Sequence, residues 1–267
     1  MSYETILVGQ EGWVRRIRLN RPERRNAMTP LMQDELIAAM EDAAASDCRV
    51  VVMEGAGEAF CSGLDLSVLQ GAKDKSAAEH RADAERVAKL FRTLYELPKP
   101  TIAAVHGAAV AGGTGLATIC DFTLAVPTAK FGYTEARIGF VPALVSAYLV
   151  LQIGEKQARG LLLTGRLFDA AEACRLALVI EEVVAEELEA RVTTLAGALG
   201  ENSPESARAT KQLLAAQSKA WLDVAVELGM EANARSRETK DFYEGVTAFL
   251  EKRKPEWSSC ADGEGKD

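Results

Sequence analysis

Apolar residues change their spacing along this chain near Ala185, and that change limits the folds open to it. Before it, short apolar runs alternate with helical periods. After it, helical periods continue to Trp257. Alternation of strand and helix predicts an α/β architecture with mainly parallel pairing, followed by a helical tail. Residues 5–20 read as two strands joined near Glu11 and Gly12. Thr29 and Pro30 mark a helix start, with Thr as cap and proline in the first turn, and residues 31–45 carry apolar positions at 31, 32, 36, 39 and 40. Residues 49–54 read as a buried strand, and "GAGEAFCSGLDL" as a loop with one further short strand. Residues 71–80 are polar and read as a mobile surface segment. An amphipathic helix is expected over 82–97, closed by "PKP". Strands are expected at Thr101–Val105 and 122–126, with a glycine segment and its helix between them. Ser203 and Pro204 start a tail helix, and the next break falls at Asp241. The chain therefore divides into an α/β core over 1–200 and a helical region over 201–267. The tail carries Trp221, Leu222, Val226, Phe242, Val246, Phe249 and Leu250, apolar surface that must cover the core or a neighbouring subunit.

The formal net charge of -8 argues against general nucleic-acid binding. The local exception is "RRIRLNRPERR", from Arg15 to Arg25, with six arginines. It reads either as a solvated strand edge and turn or as a docking place for a small polyanion. No stretch reaches the length of a membrane span, and the first residues lack the layout of a signal peptide, so a cytoplasmic protein is expected. Five cysteines, Cys48, Cys61, Cys120, Cys174 and Cys260, are odd in number and widely spaced, which suggests neither a disulfide framework nor a zinc site. His80 and His106 lie far apart, and no metal site is expected.

Three stretches bear on chemistry. In "FCSGLDL", Gly63 allows a sharp turn after a strand and leaves the Leu64 N–H free to face a ligand. Phe60 stands where a nucleophile elbow would need its first glycine, so Ser62 is a weak nucleophile candidate. In "HGAAVAGGTGLA", glycines open a helix after a strand. First-turn N–H groups have no intrahelical partner and could hold an anion. No Lys-Ser/Thr follows, and the G-x-G-x-x-G spacing is absent, which leaves an oxyanion site or glycine for close helix packing. In "FGYTEARIGFVP", Glu135 stands among apolar neighbours, where burial would disfavour its ionised form. An exposed loop glutamate is the plainer reading.

Taken in order, "LNRPERRNAM", "FCSGLDL", "VHGAAVAGGTGLATICDFTLA", "FGYTEARIGFVP", "LLLTGRLFDAAEA", "NSPESARATK" and "EGVTAFLEKRKPEW" resemble the crotonase superfamily, the enoyl-CoA hydratase/isomerase family. The resemblance spans nearly the whole chain. It implies a spiral of ββα units with a C-terminal helical trimerisation region, and a homo-oligomer that is a trimer or a dimer of trimers. It implies an acyl-CoA thioester as ligand, with no cofactor beyond the coenzyme A that the substrate carries, and neither nucleic acid nor membrane as partner. The thioester oxygen maps onto the backbone N–H groups of Leu64 and Gly112, and the acid/base onto Glu135. Arg24, Arg25, Ser62 and Asp65 map beside the coenzyme A. Phe249 and Lys252 map onto a C-terminal helix that reaches it, commonly from a neighbouring subunit.

One position departs from that pattern. Hydratases of the family carry a second glutamate at the place held here by Gly115. The resemblance then implies hydration of a 2-enoyl-CoA through Glu135, with Tyr133 or Thr114 to help hold water. The alternatives are a single-glutamate Δ3–Δ2 isomerisation, a bulkier or carboxylated acyl group met by Arg137, and a non-catalytic acyl-CoA-binding or scaffold role.

Overall fold

The computed structural model describes residues 3–258; Cys260 of the sequence reading lies outside them. The chain opens with a hairpin, β1 (Ile6–Glu11) against β2 (Val14–Leu19), antiparallel around Gly12 at φ +55°. Helix α1 (Pro30–Ala45) follows, with the Thr29 side chain accepting from the Met32 N–H. Three ββα turns come next. The first holds β3 (Val50–Gly55), β4 (Ala59–Cys61), the short α2 (Leu66–Gln70) and α3 (Ala77–Tyr95). The second holds β5 (Thr101–Val105), β6 (Ala108–Val110) and α4 (Gly112–Ile119). The third holds β7 (Phe122–Ala125), β8 (Lys130–Gly132) and α5 (Ala143–Thr164). The chain then runs through β9 (Leu167–Asp169), α6 (Ala170–Arg175) and β10 (Glu181–Glu182) to α7 (Leu188–Glu201), α8 (Pro204–Ser236) and α9 (Lys240–Leu250).

Each turn gives its first strand to a six-stranded sheet, β1-β2-β3-β5-β7-β10, and its second to a four-stranded sheet, β4-β6-β8-β9. Pairing is parallel from β2 to β10 and from β4 to β8; β8 and β9 pair antiparallel. Crossover helices cover parallel strands on both faces. Accordingly "VVVM" of β3 and "TIAAV" of β5 are buried throughout, with no alternation. This is the α/β spiral that the resemblance implied. Strands β6, β8, β9 and β10 are two or three residues long, too short for any periodicity to mark them.

Two readings of the sequence are corrected here. Residues 71–80 form a 3-10 turn, Gly71–Asp74, and the capped start of α3, with the Ser76 and Glu79 side chains completing a capping box. Ala72 and His80 are buried, so the segment is fastened by its apolar contacts as well as its cap. The tail break falls at Arg237–Thr239 rather than at Asp241, because the Thr239 hydroxyl accepts from the Phe242 N–H and so sets the start of α9.

Helix α8 lies over α3 and α5. Arg81 reaches Glu227 at 2.9 Å, Arg92 reaches Asp223 at 2.7 Å, and the Trp221 indole N–H donates to the Ala147 carbonyl at 3.3 Å. Helix α9 turns back onto its own chain, where Phe242 and Val246 pack with Leu69, Ala72 and Phe140 in a small second core. Two glycines permit that approach. A Cβ on Gly245 would stand 2.3 Å from the Ile138 carbonyl carbon, and one on Gly139 2.3 Å from the Asp241 carbonyl oxygen. Among the described residues no helix is long and apolar enough to cross a membrane.

Candidate active site

Gly63 sits at φ +88°, a backbone region open mainly to glycine, and lies against the Val110–Gly112 backbone. Its carbonyl accepts from Met28, and the Asp65 N–H donates to the Met28 carbonyl. Both neighbours of the Leu64 N–H are thus tied to Met28, while that N–H makes no hydrogen bond to the described residues. Gly112, the first residue of α4, likewise keeps a free N–H. Ala111 before it is held at φ 52°, ψ -126°, strained for a residue with a Cβ. What holds it are its N–H to the Gly132 carbonyl at 2.6 Å and its own carbonyl, which accepts from Thr114 and Gly115. The next glycine is a packing requirement: a Cβ on Gly113 would lie 2.1 Å from the Cys61 carbonyl oxygen. The glycine run therefore serves both readings left open by the sequence, close packing at Gly113 and a free donor at Gly112.

Leu64, Gly112 and Glu135 line one cavity of about 680 Å³. Glu135 begins a 3-10 turn, Glu135–Ile138, just after β8. It is buried, and its Oε2 has no hydrogen-bond partner. Burial pushes its carboxyl up to about 7, against a weaker opposing pull from its own backbone N–H. The exposed-glutamate reading does not hold: the two apolar neighbours signalled the actual environment.

The same cavity is lined by Arg24, Arg25, Ser62, Asp65 and Phe249. Four of the six clustered arginines are bound to carboxylates: Arg15 to Asp42, Arg16 and Arg18 to Glu54, and Arg21 to Asp65 at 2.8 Å. Arg24 and Arg25 form no ion pair among the described residues, and both are exposed at the cavity mouth. Asn26, which sequence reasoning passed over, fixes their loop. Its amide donates to the Ala56, Ala59 and Phe60 carbonyls, and its Oδ1 accepts from the Arg21 N–H. Its φ of 55° is a conformation that asparagine tolerates better than most residues, which was the available signal. The Ser62 N–H donates to the Arg25 carbonyl at 3.1 Å, which ties this loop to the Leu64 turn. Asp65 accepts from the Ser67 hydroxyl and N–H and from Arg21; against the upward push of burial, these hold its carboxyl below the ordinary value.

Phe249 reaches the cavity of its own chain from α9, whereas Lys252, just past the end of that helix, does not line it. The proposed water-holding pair is not available. The Thr114 hydroxyl is used by the Ala109 and Gly132 carbonyls and the Gly132 N–H, and Tyr133 is buried outside the cavity with its hydroxyl on Thr118. Arg137 lines the cavity at an exposed position.

Gly115 lies behind the cavity wall. A Cβ there would stand 2.6 Å from the Val145 Cγ1 and 3.3 Å from the Phe91 Cζ. Both side chains face the cavity, so the place of the second acid is taken by apolar groups from α5 and α3. No local pattern in the sequence announces this contact between three separate helices.

A family model described as enoyl-CoA hydratase/isomerase matches residues 9–260. The chain belongs to the enoyl-CoA hydratase/isomerase family. Among the relatives of this family, a Thermus thermophilus protein described as a candidate enoyl-CoA hydratase is 44% identical over 92% of this chain and 98% of its own length. A crotonyl-CoA hydratase of Syntrophomonas wolfei is 33% identical over 97% of this chain and 100% of its own. The crystal structure of an enoyl-CoA hydratase/isomerase from Xanthobacter autotrophicus Py2 superposes with a TM-score of 0.87 at 31% identity, covering 94% of each chain. The spiral described above is thus the crotonase fold.

Proposed function

We propose that this protein hydrates 2-enoyl-CoA esters, and the reverse, with Glu135 as its single acid/base. The observation that carries the reading is the buried Glu135 carboxylate, unpartnered at Oε2, in one cavity with two unused backbone donors. The N–H groups of Leu64 and Gly112 hold the thioester oxygen and stabilise the charge that gathers there as water adds to C3. Loss of one such donor costs about 3–4 kcal/mol. The Glu135 carboxylate takes a proton from water while the hydroxyl bonds to C3, and the resulting acid delivers that proton to C2 of the enolate. Water supplies both groups added, the hydroxyl at C3 and the hydrogen at C2, and the carboxylate is regenerated. No cofactor is needed beyond the coenzyme A of the substrate. The relatives named as hydratases support this choice of reaction.

Arg24 and Arg25, the unpaired arginines at the mouth, suit the phosphates of coenzyme A. Replacing both with alanine is expected to raise the Kd of an acyl-CoA ester about 10-fold, an effect that fades as ionic strength rises. Titration at low and high salt checks this.

Val145 and Phe91 over Gly115 favour a second reading, isomerisation of a 3-enoyl-CoA, because that reaction needs one carboxylate and no bound water. Glu135 would then remove a proton from C2 and return it at C4. Absorbance of the conjugated enoyl thioester separates the two. It falls on hydration of crotonyl-CoA and rises on isomerisation of a 3-enoyl-CoA. The proposal expects the fall; a rise alone selects the isomerase, and neither change despite binding selects a binding role.

Self-association and a cytoplasmic location complete the proposal. Helix α8 leaves Leu214, Trp221, Val224 and Leu228 exposed at near-heptad spacing, which supports packing against further copies. The described cysteines are all free thiols, as a reducing compartment would keep them.

A further inference from the structure

The acyl part of the cavity is apolar, with Val87, Phe91, Leu144 and Val145 in its wall, but it contains one buried amide. Asn233 of α8 lines the cavity and is 5% exposed. Its Oδ1 accepts from the Arg237 Nε at 3.2 Å. A guanidinium only donates, so the atom facing it is the oxygen, and the NH2 group is turned away from Arg237, on the cavity side. That NH2 makes no hydrogen bond to the described residues. Behind it, Arg237 is 1% exposed and stands 5.3 Å over the Phe140 ring, itself part of the wall. Arg237 uses only Nε among its side-chain nitrogens in a hydrogen bond, and its buried Nη1 has no hydrogen-bond partner, only the ion pair to Asp83. The nearest carboxylate, Asp83, is shared. Lys75 holds it at 2.5 Å, Arg86 at 3.2 Å and Arg237 at 3.6 Å. His80 adds no negative charge. Its imidazole is buried, its Nδ1 is unpartnered, and burial together with the Arg237 charge holds it below its ordinary value.

Asp34 also pairs with Arg86, at 3.2 Å, and Glu238 acts on His80, but Asp83 is the carboxylate in reach of the buried Arg237, and it is shared with Lys75 and Arg86, so the Arg237 charge is only partly compensated. A free amide donor faces the cavity in front of it. A methyl-ended acyl chain placed there would leave the amide unpaired and the guanidinium with no more than its shared, 3.6 Å ion pair to Asp83, which is a cost rather than a neutral contact. We propose that the Asn233–Arg237 wall reads the far end of the acyl group, and that the enzyme takes 2-enoyl-CoA esters whose acyl chain ends in a carboxylate. The proposal rests on the acyl-CoA reading above. Arg24, Arg25 and Arg137 also line the cavity; the first two are assigned above to the coenzyme A phosphates, and the exposed position of Arg137 lets water screen it, so it discriminates weakly.

Saturated acyl-CoA esters need no turnover, so they test this apart from the reaction. Pairs matched in chain length, one ending in methyl and one in carboxylate, are titrated calorimetrically into the wild type, Asn233→Leu and Asn233→Asp. The wild type is expected to bind the carboxylate-ended ester about 10-fold or more tightly, for at least one chain length. Asn233→Leu should erase that ratio. Asn233→Asp keeps an acceptor for the Arg237 Nε and adds a negative charge, so it should reverse the ratio. Thermal melts report whether each variant is folded; if neither folds, the wild-type ratio decides alone. Equal affinities, preference for methyl, or a ratio that survives in Asn233→Asp and vanishes in Arg137→Ala would overturn the proposal. Binding of neither ester would overturn the acyl-CoA reading itself. Preferred binding without any hydration would overturn only the reaction.

Discussion

Glu135→Gln is expected to lower the hydration rate by about 100- to 10,000-fold, the range a positioned acid/base supplies. Amide and carboxyl have nearly the same shape, so the cavity should still bind a saturated acyl-CoA. The same substitution should also stabilise the fold at alkaline pH. Burial raises the Glu135 carboxyl from 4.5 to about 7, so the folded state holds a proton more tightly than the unfolded chain does. Its contribution is fully present below the unfolded value and is lost as pH rises through about 7. Above that, the buried charge costs about 3 kcal/mol. Glutamine carries no charge to lose, so the variant should melt higher than the wild type in alkaline buffer and lose that advantage near about pH 5. Loss of rate with no gain in alkaline stability would mean that Glu135 is not held as described. An unchanged rate would remove it from the chemistry.

Gly112→Pro is expected to cut kcat by about 100- to 1,000-fold, because it deletes one oxyanion donor and leaves the other. Proline suits the first position of a helix, but here it adds strain, because Ala111 before it is held at φ 52°, ψ -126°, outside the extended region that a residue preceding proline prefers. Gly112 is the first residue of α4, where the N–H has no intrahelical partner. Gly112→Ala is the matched control, since it keeps the N–H. Its new Cβ would meet the Met28 Cε at 3.1 Å, the free end of a flexible side chain, and the Phe91 Cζ at 3.9 Å. The alanine variant should therefore keep most of its activity. The alanine variant should give a near wild-type melt and the proline variant a lower one, so kcat is compared at a temperature where both are folded. Equal loss in the two would assign the effect to packing rather than to the donor, and full activity in a folded proline variant would remove Gly112 from the oxyanion site.

The two variants also mark what the sequence could and could not show. Thr29, Ser203 and the apolar runs of β3 and β5 are local signals, and the elements they predict are present. Glu135, Leu64 and Gly112 come from three separate ββα turns, yet each sits in a stretch with its own local mark, an acid among apolar residues or a glycine that bends the backbone. The departure from the two-acid pattern that the resemblance implies was legible as well, because Gly115 stands in a motif with fixed spacing. What fills its place was not. Val145 and Phe91 reach Gly115 only through the packing of α3, α4 and α5. The Asn233–Arg237 hydrogen bond is a local i,i+4 contact at the end of α8, but its place at the cavity and beside Asp83 of α3 comes from the docking of α8 on α3, which no local pattern announces. The unpaired state of Arg24 and Arg25 became visible only once the other arginines had found Asp42, Glu54 and Asp65.

The pH dependence of kcat/KM for hydration of crotonyl-CoA tests the single-carboxylate account most directly. Each turnover begins with Glu135 ionised, so activity must rise with pH through its ionisation. The account predicts one acid-side limb centred at about 7, with a plateau above it, that disappears in Glu135→Gln along with the activity. A rate that is flat across that range, or whose limb falls near the ordinary carboxylate value of 4.5, would contradict it.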